Sequence, residues 1–316
     1  MYVLFPSIEV LRMSSSFETM VALQAQLFLF VLAGFVLTRV GTITAAGRKS
    51  LSDLLINFIL PANIICSFQI ELTSEILSSV MITIAVSLGV QFFYLIISRF
   101  IFPGQNRARL ACLRYATVCS NAGFLGIPII GGLYGPMGTL LTSVVLIPQR
   151  VVMWSAGLSL FTATDSRSVI KKLMTHPCIV AVVIGFALML TGNPALPLPL
   201  QKMLQGASSC NTCMSMLVIG SILAGAERIN LKDGMMWWFT AARLLLIPLA
   251  VYALLLPLPV DPLIRAVMVL ASGMPAGSTT AILAAKYDGD APFASCIIFI
   301  STLLSLITLP ALCLIL

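Results

Sequence analysis

Charge is scarce in this chain. Of its 316 residues, 9% are Asp, Glu, Lys or Arg, where an average soluble domain carries roughly 25%, so an ordinary water-exposed globular fold is excluded. Histidine occurs once, as His176 directly before Pro177, which excludes a zinc hydrolase built on an HExxH helix. Neither a GxSxG elbow nor a GxxxxGK[ST] phosphate loop is present, which removes the serine-hydrolase signature and the ATP-driven motor. The eight cysteines are scattered through apolar segments, where a small, soft hydrophobe explains them. Cys210 and Cys213 form a CxxC pair, but without a second pair or a nearby histidine they fall short of the ligands a zinc site needs. Neither a metal nor a cofactor is expected.

What the chain has is apolar length. It is 59% hydrophobic with a mean hydropathy of +1.06, and a helix needs about 20 apolar residues to cross a hydrocarbon core of ~30 Å. Short alternating strands of the barrel type are missing. Ten spans are expected, at 21–38, 52–69, 77–98, 110–134, 138–163, 177–191, 203–225, 235–256, 262–285 and 291–314, so the fold class is an all-α integral membrane protein and its solvent is the lipid bilayer. The first 20 residues contain Glu9, Arg12 and Glu18 and lack the pattern of a cleaved signal peptide, so the first span is expected to stay.

The net charge of +7 does not point to nucleic acid, because the basic residues sit in short loops rather than on one face of a domain. Arg39, Arg48 and Lys49 follow the first span; Arg99, Arg107 and Arg109 the third; Arg167, Lys171 and Lys172 the fifth; Arg228 and Lys232 the seventh; Lys286 the ninth. The opposite loops hold Glu71, Glu75 and Asp261, with Arg12 and Lys202 as their bases. By the positive-inside rule the odd-numbered loops are cytoplasmic and both termini lie outside, in the cell (inner) membrane.

An internal duplication is legible. GFVLTRVG at Gly34–Gly41 matches GFALMLTG at Gly185–Gly192 at a shift of 151, which also pairs Arg114 with Arg265 and Gly126 with Gly277. Residues 1–163 then form one five-span repeat and 177–316 a second, joined by a cytoplasmic connection at 164–176. Because five is odd, the second copy enters the membrane inverted, as in many secondary transporters. The fourth span carries NAGFLGIPIIGGLYG, with five glycines and a proline, and the ninth carries Ser272-Gly-Met-Pro-Ala-Gly-Ser278. Both spans are expected to break, the fourth near Gly126-Ile127-Pro128, since irregular backbone at membrane depth survives where it is buried or lines a cavity. At a shift of 151 Pro128 falls on Thr279, about one turn from Pro275.

These residues resemble the auxin efflux carrier family of ten-span secondary transporters. The likeness runs over essentially the whole chain: Leu60-Pro61-Ala62, NAGFLGIPI, Ile147-Pro148 with Trp154 and Gly157, and AILAAKYDGDAPFASCIIFISTLLSLITLP at Ala281–Pro310. The resemblance implies crossing fourth and ninth helices, a scaffold and a moving domain, and a small organic anion as cargo: auxin in plant members, dicarboxylates such as malate and malonate in bacterial ones. The long polar central loop of plant carriers is missing, so the resemblance is to the compact bacterial type.

Opposed half-helix N-termini suit a carboxylate. The expected substrate site therefore comprises Asn121, Gly123, Gly126, Pro128, Gly273, Pro275, Gly277 and Ser278, with Asn57, Asn63, Ser208, Ser209 and Asn211 as supporting polar groups. Arg150 follows Pro148 in the fifth span, where an unpartnered charge would cost ~2.5–3.5 kcal/mol, so it faces a wet cavity or a partner such as an anionic substrate, snorkels to the interface, or binds backbone carbonyls at a proline break. Arg243 in the eighth span raises the same question, and its repeat equivalent is Phe92, beside Gln91. Asp53 is either a proton carrier or an interfacial acid. Proton exchange, sodium coupling and uniport all stay open, as does a homodimer. The expected function is secondary transport of a small carboxylate; the alternatives are a membrane ligand sensor and an intramembrane enzyme.

Overall fold

Short polar side chains start most of the helices. Thr44, Thr73, Asn106, Asp233, Asp261 and Asp290 each accept a hydrogen bond from a backbone N–H two or three residues on, satisfying a donor that the first helical turn leaves free. The computed structural model of the chain describes residues 22, 25–69, 71–161, 171, 174–192, 196–225, 232–287 and 289–316. Glu9, Arg12, Glu18, Arg167, Lys172, Arg228 and Asp288 lie outside them. In chain order the helices are α1 (Ala25–Arg39), α2 (Ala45–Ser67), α3 (Ser74–Ile97), α4 (Arg107–Val118), α5 (Ala122–Leu160), α6 (Pro177–Leu190), α7 (Leu198–Ala224), α8 (Gly234–Leu255), α9 (Pro262–Ser272), α10 (Thr279–Lys286) and α11 (Ala291–Cys313). Among the described residues there is no β-strand, only an isolated bridge between Ser120 and Ala276.

By length and composition α2, α3, α5, α7, α8 and α11 can each cross a bilayer, whereas α1, α6 and α9 are shorter apolar helices. Large apolar side chains such as Met81, Phe92 and Ile307 are exposed on the outside of the bundle, where hydrocarbon rather than water solvates them. The molecule is a multi-pass membrane protein.

Prolines inside α2, α5 and α8 are absorbed by wide π-turns. The turns Leu55–Ile59, Ala122–Gly126 and Ala242–Leu246 end two residues before Pro61, Pro128 and Pro248. A proline lacks the N–H for the bond to residue i−4 and crowds that carbonyl, and widening the preceding turn relieves both. This corrects the expected break at Gly126-Ile127-Pro128. The fourth span breaks earlier, at Cys119–Asn121, where Cys119 is extended, and Pro128 sits inside a continuing helix. The ninth span breaks after Ser272 and resumes at Thr279, with Pro275 in the break itself. The expected spans 110–134 and 138–163 are joined within α5 across a kink at Gly135 (φ 62°, ψ −151°), a conformation open to glycine alone.

At one end of the molecule Arg109 pairs with Asp233 at 2.8 Å and Asp290 at 2.9 Å and lies over the Phe293 ring at 4.4 Å, tying the third, seventh and ninth connections together. At the other, a cavity of about 630 Å³ is lined by Glu75, Pro136 and Asp261 from three even-numbered connections. Gly34 and Gly185 both sit where a neighbour leaves no room for a Cβ, one against backbone and one against a side chain. A Cβ on Gly34 would meet the α7 backbone at Leu217, and one on Gly185 would meet the Phe68 ring at the end of α2. Arg114 donates to the Arg99 carbonyl ahead of α4, and Arg265 to the Val260 carbonyl ahead of α9, each at 3.4 Å.

Candidate functional site

The two breaks meet. Asn121 N–H donates to the Pro275 carbonyl at 2.8 Å, and Gly277 N–H donates to the Cys119 carbonyl at 3.1 Å, so Ser120 and Ala276 face each other in a one-residue antiparallel bridge. Gly277 is required by this approach, because a Cβ there would stand 2.8 Å from the Cys119 carbonyl oxygen. Side chains hold the crossing from three directions. Gln149 donates to the Ser120 carbonyl at 2.8 Å and accepts from Ser120 Oγ at 3.0 Å. Gln91 donates to the Val118 carbonyl at 2.9 Å, and Ser301 Oγ accepts from Ala276 N–H at 3.2 Å. Unpaired backbone groups at this depth would cost several kcal/mol each.

Arg243 completes the brace. It is fully buried, donates from Nε to the Met274 carbonyl at 2.9 Å and from Nη1 to the Thr117 carbonyl at 2.8 Å, and lies 5.5 Å from the centre of the Tyr94 ring. Phe92, its partner at a shift of 151, is 64% exposed. Next to Phe92, Gln91 sends its amide to the Val118 carbonyl at the end of α4, one residue past the Thr117 carbonyl that Arg243 holds.

Beside the crossing runs a polar cleft of about 520 Å³ between α1, α2 and α7 on one side and α5 on the other. Its walls carry Asn63, Ser67, Pro128, Thr139, Ser208, Ser209 and Asn211. Asn63 donates from Nδ2 to Ser208 Oγ at 2.9 Å, and its Oδ1 is buried without a partner. Asn211 accepts from Ser215 Oγ at 3.2 Å. The cleft follows α5 from the Gly135 kink down to Ile127, ~10 Å at the helical rise over the helical residues.

The expected site residues therefore separate. Pro128, Asn63, Ser208, Ser209 and Asn211 line the cleft together. Asn121, Pro275 and Gly277 form the crossing through their backbones. Gly126 packs on Met274 and Gly273 on Leu312, so these two serve helix contact. Gly123 has open space where a Cβ would go, and Ser278 is half-buried ahead of α10. Asn57 and Asp53 are on an exposed face of α2, where Asn57 donates to the Asp53 carbonyl at 2.8 Å.

Arg150 is 5% exposed and does not line the cleft. It lies against His176 and Cys178 at the start of α6, and its Nη1 has no hydrogen-bond partner. Burial, with the Arg150 charge beside it, lowers the pKa of His176 to about 4, so the imidazole is neutral at pH 7. Its Nδ1 accepts from the Cys178 N–H at 3.3 Å, and its ring stands 6.4 Å from that of Trp154. Sequence reasoning missed Gln149 and the role of Arg243; Gln149 had a visible signal, a polar amide next to Arg150 in an apolar span.

The sequence model described as membrane transport protein matches residues 19–313. An uncharacterized transporter of Methanothermobacter thermautotrophicus is 27% identical over 288 residues, which cover 89% of this chain and 93% of that protein. An uncharacterized transporter of Methanocaldococcus jannaschii is 22% identical over 294 residues, covering 89% and 94%.

Proposed function

The chain belongs to the membrane transport protein family, that of the auxin efflux carriers, and on that premise we propose that it is a secondary active transporter of a small organic anion. A dicarboxylate such as malate or malonate is the first cargo to test. The observation that carries the reading is the reciprocal pairing of two broken helices beside a polar cleft. Such a crossing sets half-helix ends, each worth roughly half an elementary charge, at membrane depth. The N-terminal ends of α5 and α10 favour a carboxylate, and the Asn63, Ser208 and Asn211 side chains offer it neutral hydrogen-bond partners.

In this reading the chain has ten spans in two inverted repeats, 1–163 and 177–316, with both termini outside the cell membrane. The matched contacts of Gly34 with α7 and Gly185 with α2 support it, as do the carbonyls held by Arg114 and Arg265. The cleft opens toward the even-numbered, outer connections. Arg150 closes the opposite side against the start of α6 and meets the anion when α5 shifts during alternating access.

Uptake and counterflow in liposomes containing only this protein test the function. Malate, malonate, monocarboxylates, neutral amino acids and cations are compared at fixed pH. Carboxylate flux is expected; binding without flux makes the protein a sensor, chemical conversion makes it an enzyme, and flux of cations or neutral solutes alone ends the anion reading.

A further inference from the structure

Crossed broken helices aim carbonyl ends as well as amide ends at the membrane midplane. In transporters built this way, unwound carbonyls and half-helix C-termini hold the coupling cation. Here α4 ends at Val118 and α9 at Ser272, and their two C-terminal ends together present a charge of about −1, half from each. The carbonyls that would face a metal ion are those of Thr117, in the last turn of α4, and Met274, just past the end of α9. Both are taken by a single guanidinium.

No carboxylate among the described residues pairs with that guanidinium. Among the described residues the ion pairs are those of Arg109 with Asp233 and Asp290, at the far end of the bundle. Around Arg243 stand Tyr94, with its ring 5.5 Å away, and the buried Cys119. Its Nη2 makes no hydrogen bond, so two carbonyls and a ring are its whole set of partners. A buried charge persists only where it is paired, and the two helix ends are the pair. The placement is also built in: Arg243 rides on the π-turn Ala242–Leu246 forced by Pro248, a local widening that recurs at functional positions.

We propose that Arg243 is a tethered cation standing in the carbonyl cage where a coupling metal ion would otherwise bind, and that the transporter therefore works without sodium. The inference rests on the transporter reading only for its consequence for coupling; the cage itself is tested without any cargo.

The purified full-length protein is assayed by thermal unfolding at constant ionic strength. Replacing choline by sodium is expected to leave the midpoint of the wild-type protein unchanged. Arg243→Ala is expected to lower it, and millimolar methylguanidinium, but not urea at the same concentration, to recover part of the loss. Arg243→Lys keeps a charge in the cage and is expected to unfold at a higher temperature than the similarly sized but neutral Arg243→Met. A sodium-specific rise in the wild-type midpoint overturns the proposal, as does a folded Arg243→Ala variant indifferent to methylguanidinium. If Arg243→Ala does not insert, the Lys–Met comparison and the wild-type sodium titration decide. Equal stability of Arg243→Met and the wild type sinks the cage, whereas loss of carboxylate flux bears on the proposed function alone.

Discussion

Arg243 and Arg150 are both buried, at 0% and 5% exposure, and both sit on helices interrupted by proline, yet the fold treats them differently. Arg243 reaches carbonyls on two other elements and joins the break of the fourth span to that of the ninth. Arg150 lies against a neutral histidine and a cysteine, with Nη1 unpartnered. Carbonyl dipoles from helix C-termini satisfy a cation permanently, so Arg243 is a pin. Arg150, at the seam between α5 and α6, makes no such bridge between the two breaks, and under the proposed function it is the arginine that meets the anion.

The largest expected effect is on the pin. Arg243→Met strands two buried carbonyls and is expected to cost about 3–5 kcal/mol of stability, the scale of breaking a buried charged pair; an equal loss in Arg150→Met would erase the distinction. Next comes the crossing itself. Gly277→Leu drives a side chain into the Cys119 carbonyl and is expected to cost about 1–3 kcal/mol and abolish flux. Gly123→Ala, where a Cβ meets nothing, stays within about 0.5 kcal/mol of the wild type. Thermal melts of the two variants side by side check this gradient.

Arg150→Gln is expected to weaken anion binding about tenfold, or ~1.4 kcal/mol, with a smaller change in melting; unchanged affinity would make Arg150 a second pin. A separate effect is one of pH. His176 has a folded pKa of about 4, below the ordinary value of about 6.5, so the unfolded chain takes up the proton first. Stability present above pH 6.5 is then lost as pH falls toward 4. His176→Gln is expected to flatten that part of the melting profile, and a flat wild-type profile would deny that His176 is buried beside Arg150.

Much of this was legible beforehand. The apolar runs announced the spans that α2, α3, α7, α8 and α11 occupy, and the glycine and proline clusters marked the two spans that break. Asn63, Ser208 and Asn211, chosen only as polar residues in apolar runs, share the cleft. The position of the first break was not legible, because Pro128 reads as a helix breaker until a π-turn beneath it supplies room. Nor was the fate of Arg243, since Thr117 and Met274 receive it through carbonyls that every residue carries.

Side-chain chemistry alone determined that the chain lives in a bilayer and which two spans break, because transfer to hydrocarbon sorts residues one at a time and proline and glycine act on their own backbone. Tertiary structure alone decided that Ser120 faces Ala276, that Gly277 must stay bare and that Arg243 reaches two carbonyls while Arg150 lies against the start of α6. The crossing and the reach of Arg243 to Thr117 depend on main-chain groups brought together from segments more than 100 residues apart, 126 for Arg243 and Thr117, and the side-chain code does not say which carbonyl will be near.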